Sequence, residues 1–217
     1  DDSLWWSGNP GAGLAHMDPK TGNIDLFGDT GKRKGGLSPF FDSKGNVWWT
    51  SGRGHIGRWD RKTNKTKTWN TPGAPGMSYG IVIDRQDKVW YTEFYSCSVV
   101  SFDPKTETFK VYPSPSRPCT ARRPGIDSKG NLWYGVYDKG RLAKMDPTTG
   151  ITTEYQIPVR FATPYDTWVD GDDNVWTSCD NFLAKYDPRT GTFAYYPTPQ
   201  QTDEPKITIT RDGAIWY

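Results

Sequence analysis

An aliphatic residue followed by tryptophan recurs six times along the chain, and this repeat constrains the fold more than any other feature. The pairs are Leu4-Trp5, Val47-Trp48, Val89-Trp90, Leu132-Trp133, Val175-Trp176 and Ile215-Trp216. Successive tryptophans are separated by 43, 42, 43, 43 and 40 residues. A period near forty indicates repeated supersecondary units, each of which buries its apolar face against its neighbours.

Each period divides into four short strands joined by turns. In the period 78–120 we predict strands at about 79–84, 88–94, 98–103 and 108–112. The turn between the first two strands reads Asp-Ser-Lys-Gly-Asn at 42–46 and 127–131, and the turn between the last two reads Asp-Pro-Thr-Thr-Gly at 146–150. Aspartate caps such turns, while glycine or asparagine accepts the positive φ of a tight hairpin. Four antiparallel strands in every period predict an all-β fold, a β-propeller with four-stranded antiparallel blades.

The count of strands bears on how the ring closes. The first repeat supplies strands two to four of a blade, and the last supplies strands one and two. A five-bladed ring closed by its termini would therefore contain one second strand too many. We expect about five consecutive blades of a six- to eight-bladed ring, incomplete at both ends of a single domain, 1–217. The repeats fall at about 1–36, 37–77, 78–120, 121–163 and 164–204, with a partial repeat at 205–217.

Composition limits the classes of partner. The 27 basic and 25 acidic residues are scattered along the chain and leave a net charge of +2, so no basic block predicts nucleic-acid binding. No apolar run approaches the ~20 residues that span a bilayer, so we expect no membrane span. We expect a small molecule or a protein as the partner at the channel mouth, and the chain could also be a subunit of a larger assembly.

Several motifs together resemble one known family. They are Val-Trp-Tyr-Thr-Glu at 89–93, Asp-Ser-Lys-Gly-Asn-Leu-Trp at 127–133, His-Ile-Gly-Arg at 55–58 and the Asp-Pro-x-Thr-Gly turns. In these motifs the chain resembles the streptogramin lyases, the virginiamycin B lyase-like family of seven-bladed propellers. It is more distantly similar to NHL and gluconolactonase-like propellers. The resemblance implies a Mg²⁺-assisted elimination that opens a cyclic depsipeptide at its ester.

The same resemblance implies where catalytic residues would lie. A histidine at the start of a first strand serves as general base, and a glutamate three residues after the second-strand tryptophan helps to hold the metal. The histidine position is occupied here by Leu37, Tyr79, Arg122, Tyr165 and Pro205. The glutamate position is occupied by Gly8, Ser51, Glu93, Val136 and Cys179. Only Glu93 matches, so we predict no catalytic residue, no metal site and no required cofactor, with Mg²⁺ relevant only to a lyase-like activity.

Six residues are nevertheless candidates for binding a ligand at one mouth of the propeller channel. First strands line the channel, so residues at their starts would surround that mouth. Arginine can bind a carboxylate or phosphate in a bidentate manner, and tyrosine offers an apolar body with a polar tip. The alternative is that the tyrosines fill the channel wall and that an arginine pairs with the glutamate. The candidates are Tyr79, Glu93, Arg122, Arg123, Tyr165 and His55, whereas His16 is expected to pack within its blade.

The cysteines bear on the compartment. Cys97 lies in the loop after a second strand and Cys119 in the crossing to the next blade, so a disulfide between them is geometrically allowed, while Cys179 would stay a buried thiol. A disulfide favours a periplasmic or secreted protein. The hypothesis is a non-catalytic ligand- or protein-binding propeller of a larger extracytoplasmic protein. The alternatives are a lyase with its catalytic residues in blades outside this segment, and a gluconolactonase-like metal-dependent hydrolase.

Overall fold

The protein is built from antiparallel sheets that follow one another along the chain, as the repeat predicted. The computed structural model describes residues 4–7, 14–27, 36–73, 76–199, 206–210 and 212–217. These residues contain no α-helix, and the only helical element among them is a short 3-10 turn, Tyr137–Lys139. The fold is that of a β-propeller, in which each complete blade is a four-stranded sheet with strands in sequence order.

The blades divide the chain close to the predicted boundaries. The first, three-stranded blade contains β1 (Leu4–Trp6), β2 (Leu14–Met17) and β3 (Ile24–Phe27). The second contains β4 (Gly36–Phe41), β5 (Val47–Ser51), β6 (His55–Asp60) and β7 (Lys65–Asn70). The third contains β8 (Ser78–Ile83), β9 (Val89–Glu93), β10 (Ser98–Asp103) and β11 (Thr108–Pro113). The fourth contains β12 (Ala121–Ile126), β13 (Leu132–Val136), β14 (Arg141–Met145) and β15 (Thr152–Gln156). The fifth contains β16 (Thr167–Val169), β17 (Val175–Cys179), β18 (Phe182–Asp187) and β19 (Thr192–Pro197), and a pair, β20 (Thr208–Ile209) and β21 (Ile215–Trp216), follows.

The recurring tryptophan is tied to the recurring turn aspartate by a hydrogen bond. The indole N–H of Trp133 donates to Oδ2 of Asp127, six residues earlier, at 3.0 Å. Trp48 and Trp90 make the same bond to Asp42 and Asp84 at 3.0 and 2.8 Å. A buried indole needs an acceptor for its N–H, and the aspartate supplies that acceptor. The same aspartate also accepts hydrogen bonds from the backbone of its own turn. This double role explains why the two residues recur together.

Adjacent blades pack through a repeated group of three aromatic rings. Trp48 of β5 stacks on Trp69 of β7 with ring centres 5.4 Å apart, and Phe102 of the next blade lies 5.0 Å from Trp69. The same arrangement is made by Trp133, Tyr155 and Tyr186, and by Trp5, Phe27 and Trp59. Aromatic pairs at such distances add to the area that they bury. The low aliphatic content is therefore offset by aromatic packing between blades.

The described contacts separate the chain into two compact units. The first contains Asp1–Phe94 with Val100–Val111, and the second contains Tyr95–Val99 with Tyr112–Tyr217. The expectation of a single 1–217 domain stays a prediction. None of the described segments forms a helix with the length and apolar character that crossing a membrane requires.

The predicted disulfide is present. Cys97 and Cys119 are bonded, with their Cα atoms 5.3 Å apart, and both cysteines are buried. The bond closes a loop between residues 22 positions apart that carries strands β10 and β11. Cys179 is a buried thiol at the end of β17, also as predicted. The bridge therefore ties the loop before β10 to the segment that leads into the fourth blade.

Candidate ligand-binding site

A β-bulge lies at the start of the first strand of three successive blades, and it sets the positions that the family resemblance singled out. In the fourth blade Ala121 pairs with Val136 and Pro124 with Tyr134, so Arg122 and Arg123 together oppose one residue of β13. The corresponding register shifts lie between Gly36 and Pro39 and between Ser78 and Ile81. A bulge bends its strand and re-aims the side chains it contains. The bulges contain the predicted positions Leu37, Tyr79 and Arg122, whereas Gly8 and Pro205 lie outside the described residues.

Arg122 is held between two tyrosine rings. Its guanidinium carbon lies 4.1 Å from the centre of the Tyr137 ring and 4.2 Å from that of Tyr165. The two rings meet edge to face with their centres 5.7 Å apart. A guanidinium attracted to aromatic faces keeps its N–H groups in the plane between the rings. The arrangement fixes the direction in which Arg122 can offer its donors.

Neighbouring charges surround this pair of rings. The guanidinium carbon of Arg123 lies 5.4 Å from the Tyr165 ring, and its backbone N–H donates to the Tyr165 carbonyl at 3.2 Å. The next residue, Asp166, is 4% exposed and accepts a hydrogen bond of 3.0 Å from the backbone N–H of Ile207. Burial raises the pKa of Asp166, against the opposing influence of that N–H and of the charges on Lys206 and Arg123.

Lys206 completes this group of charges. Partial desolvation and the charge on Arg123 lower the pKa of Lys206, which remains an exposed residue, and Asp166 opposes them. The neighbourhood thus contains three cationic side chains, from Arg122, Arg123 and Lys206, and the Asp166 carboxylate. Such a balance favours an anionic group on a ligand.

In the other compact unit, Tyr79 and His55 lie in packed surroundings. Tyr79 is 5% exposed, and its ring centre lies 5.2 Å from that of Phe94. Nδ1 of His55 is 3.0 Å from the Ser51 hydroxyl, at the hairpin between β5 and β6. The hydroxyl of Ser78 lies 2.7 Å from the carbonyl oxygens of both Ser51 and His55. Both residues are therefore buried in their blade, and their binding of a ligand stays a prediction.

Glu93 lies at the end of β9 and is 4% exposed. Its Oε2 accepts a hydrogen bond of 2.9 Å from the backbone N–H of Met77. Burial raises the pKa of Glu93, and the Met77 N–H and the Thr71 hydroxyl oppose that shift only in part. Burial and the charge on Glu93 also raise the pKa of Tyr91. The carboxylate thus belongs to a buried polar group with Met77 and Thr71, which lie in the segment between the second and third blades.

These surroundings do not fit the Mg²⁺ site that the resemblance implies. Mg²⁺ prefers an octahedral set of oxygen ligands, which requires space for water beside one or two carboxylates. The backbone of Met77 and the close approach of Gly76 enclose Glu93 instead, since a Cβ at position 76 would lie 2.7 Å from Oε2. Across the described parts of the chain, no three His, Cys, Asp or Glu side chains cluster closely enough to hold a metal ion.

Sequence reasoning missed three residues near Arg122. Tyr137 follows the second strand and lies in the 3-10 turn, where it supplies the second ring against Arg122. Asp166 and Lys206 come from segments far apart in the chain. An aromatic residue four positions after the repeated tryptophan was the signal that could have identified Tyr137. No pattern in the chain marks Asp166 or Lys206.

Comparison with known proteins gives the same fold. No protein-family model and no curated protein sequence matches the chain. A solved streptogramin B lyase superposes with a TM-score of 0.89 at 20% identity, covering 99% of this chain and 72% of that one. Selenomethionine-substituted virginiamycin B lyase from Staphylococcus aureus superposes with a TM-score of 0.84 at 18% identity, covering 92% and 68%.

Two further solved structures share this architecture. A catalytically inactive histidine-to-alanine variant of the S. aureus enzyme, with quinupristin, gives a TM-score of 0.80 at 17% identity, covering 92% of this chain and 75% of that one. The extracellular domain assigned to a hybrid two-component system from B. thetaiotaomicron gives 0.75 at 14% identity, covering 98% and 31%. The chain therefore has the propeller fold of the streptogramin lyases, as predicted. At these identities the likeness carries the fold alone.

Proposed function

We propose that the chain is a non-catalytic β-propeller module that binds an anionic ligand or the acidic group of a protein partner at Arg122. The observation that carries the proposal is the guanidinium of Arg122 between the rings of Tyr137 and Tyr165. A guanidinium that is already oriented loses less conformational entropy when it binds a carboxylate or phosphate. Arg123 and Lys206 add positive charge to the same neighbourhood.

The compartment is part of the proposal. The Cys97–Cys119 disulfide supports the proposal that the protein folds in the periplasm or outside the cell, because cytosolic thiols are kept reduced. The extracellular domain with the same fold is consistent with that location. We propose that the chain works there as a module of a larger protein.

The test is calorimetric titration of the 217-residue chain with citrate and with inorganic phosphate at fixed ionic strength. Hydrogen bonds to charged groups contribute about 1.5–3 kcal/mol each, so Arg122→Ala should weaken binding about tenfold or more. Arg122→Lys keeps the charge but loses the planar fork, and it should bind with intermediate affinity. Arg189, an exposed arginine paired with Asp187, provides the matched control as Arg189→Ala.

Equal titration curves for Arg122→Ala and Arg189→Ala would contradict the assignment of this site. No heat above dilution with either anion would also contradict it. A separate binding assay with Tyr137→Leu would show whether the ring contributes, because that change removes the aromatic face and leaves all three cations.

Lyase activity is the second candidate, and the fold of the streptogramin lyases favours it. Against it, the described positions that match the family's base are Leu37, Tyr79, Arg122 and Tyr165, and the surroundings of Glu93 do not fit the metal. A lyase would then need its base and metal ligands in blades outside this segment. A gluconolactonase-like hydrolase would need several acidic and amide side chains as metal ligands. The described residues contain no cluster of three His, Cys, Asp or Glu side chains that could serve.

A further inference from the structure

We propose that a pocket between the first and second blades binds a neutral sugar. The pocket has a volume of about 550 Å³, within the range of small-molecule sites. His55 lies at the hairpin that joins β5 to β6. Gly45 and Arg61, which line the pocket, lie at the other ends of these two strands, so the pocket is remote from His55. The site is therefore separate from the residues that the family resemblance singled out.

The wall of the pocket is aromatic. Trp5 and Trp59 have their ring centres 4.8 Å apart, Phe27 lies 5.2 Å from Trp59, and the edge of Phe41 approaches Trp5 at 6.2 Å. Rings this close contact one another and leave no space for a ligand between them. Where they line the pocket, these rings present apolar surface against which the C–H face of a pyranose ring can stack.

The rim of the pocket is polar and balanced in charge. Asp25 and Arg61 supply one negative and one positive side chain, and Asn64 and His16 supply further hydrogen-bonding groups. Nδ1 of His16 lies 3.6 Å from Oδ2 of Asp25, and Asn64 accepts a hydrogen bond of 2.9 Å from the indole N–H of Trp59. A charged ligand would be attracted to one of the Asp25 and Arg61 side chains and repelled by the other, so the pair favours neither sign of charge. Planar donors and acceptors of both kinds suit the hydroxyl groups of an uncharged sugar.

Comparison between blades explains why the pocket is open here. The residue that pairs with the second-strand tryptophan is Arg58 in the second blade, Lys144 in the fourth and Lys185 in the fifth. Each of these cations lies over its tryptophan, at 5.4, 5.5 and 5.4 Å from the ring centre. Their long stems cover apolar surface that would otherwise face solvent.

The first blade has His16 at that position instead. It pairs with Trp5, and the two ring centres lie 4.6 Å apart. The imidazole is shorter than a lysine or arginine side chain, so it covers less of the aromatic wall. In the third blade this position is Ser101, and Lys88 lies over Trp90 instead, 5.8 Å from the ring centre, so each four-stranded blade has a cation over its tryptophan where the first blade has His16.

The experiment is saturation-transfer NMR on the 217-residue chain with methyl β-glucoside, methyl β-galactoside, methyl α-mannoside and N-acetylglucosamine as probes. Choline and acetate serve as the cationic and anionic comparisons. We expect transfer to the ring C–H protons of at least one sugar. His16→Lys should fill the pocket as Lys144 and Lys185 do, and should abolish the transfer without lowering the thermal midpoint.

Asp25→Ala tests the polar rim without disturbing the aromatic packing, since the Asp25 side chain is 67% exposed. It should reduce transfer several-fold. Lys67→Ala changes the equivalent strand position of the second blade, because Lys67 pairs with Arg58 as Asp25 pairs with His16, and it should leave transfer unchanged. The proposal is overturned by no transfer to any of the four sugars, by stronger transfer to choline or acetate, or by sugar transfer that persists in both His16→Lys and Asp25→Ala.

Discussion

The backbone N–H of Met77 donates a hydrogen bond of 2.9 Å to Oε2 of Glu93, so the residue that matches the lyase-like pattern is bound to its own blade. The carboxylate is buried, and Gly76 approaches it so closely that any side chain there would displace it. A buried carboxylate with few hydrogen bonds is destabilised in its charged form. Glu93 therefore acts on stability in a way that can be measured apart from any activity.

Glu93→Gln should stabilise the protein relative to wild type as the pH rises. The folded state raises the pKa of Glu93, so it binds this proton more tightly than the unfolded chain does. Stability linked to Glu93 is then fully present below the unfolded pKa and is lost as the pH rises through the folded pKa. Glutamine keeps an acceptor for the Met77 N–H without the charge, so the variant should escape that loss. Denaturant titrations between pH 4.5 and pH 8 measure the difference.

Glu107→Gln is the matched control, because the pKa of Glu107 is lowered, chiefly by a hydrogen bond from Lys67. It should lose stability where Glu93→Gln gains it. A difference between wild type and Glu93→Gln that does not change across this pH range would refute the buried, raised-pKa account of Glu93.

Trp133→Ala should destabilise the protein by ~3–5 kcal/mol, as expected for a buried aromatic residue cut back to alanine. Trp133 is 1% exposed, bonded to Asp127 and packed against Tyr155 and Tyr186. Trp216 has the same place in its repeat but is 66% exposed, so Trp216→Ala should change the unfolding free energy by less than ~0.5 kcal/mol. Guanidinium titrations of both variants test the comparison, and equal losses would argue against the blade packing.

Loss of the Cys97–Cys119 disulfide should cost about 3 kcal/mol, on the loop-entropy estimate for residues 22 apart. The measurement compares the oxidised chain with the Cys97→Ala, Cys119→Ala double variant in urea. Adding reductant to wild type should reproduce the loss, and adding it to the double variant should change nothing. Mass mapping that finds two free thiols in protein purified without reductant would contradict the bond.

The chain should not open a streptogramin B depsipeptide such as quinupristin. An elimination needs a base that is unprotonated near pH 7 and close to an acidic C–H, whereas a phenol keeps its proton until pH ~10 and an arginine stays protonated. Tyr79 and Arg122 occupy two of the base positions. Mass spectrometry of the substrate, with and without chelator, detects ring opening, and the S. aureus enzyme is the positive control. Chelator-sensitive turnover that Glu93→Gln abolishes would establish the lyase alternative.

The sequence determined the blades. The period of the tryptophan pairs, the turn aspartates and the Asp-Pro turns are local signals, because a hairpin is specified by residues within a few positions of its turn. They predicted the strands of the third blade to within one or two residues and allowed the Cys97–Cys119 bond. The family resemblance also singled out positions that lie within the bulges, including Tyr79 and Arg122.

Only the tertiary structure decided what those positions contact. The burial of Glu93, at the end of β9, depends on Met77 and Gly76, which lie just before β8 in the chain. The rings around Arg122 come from Tyr137 and Tyr165, in different blades. In the first blade His16 pairs with Trp5, whereas the residue paired with the equivalent tryptophan is a lysine or an arginine in the second, fourth and fifth blades. Side-chain environment is set by packing between segments distant in sequence, and a repeat that specifies each blade alone does not encode the exceptions at the interfaces between blades.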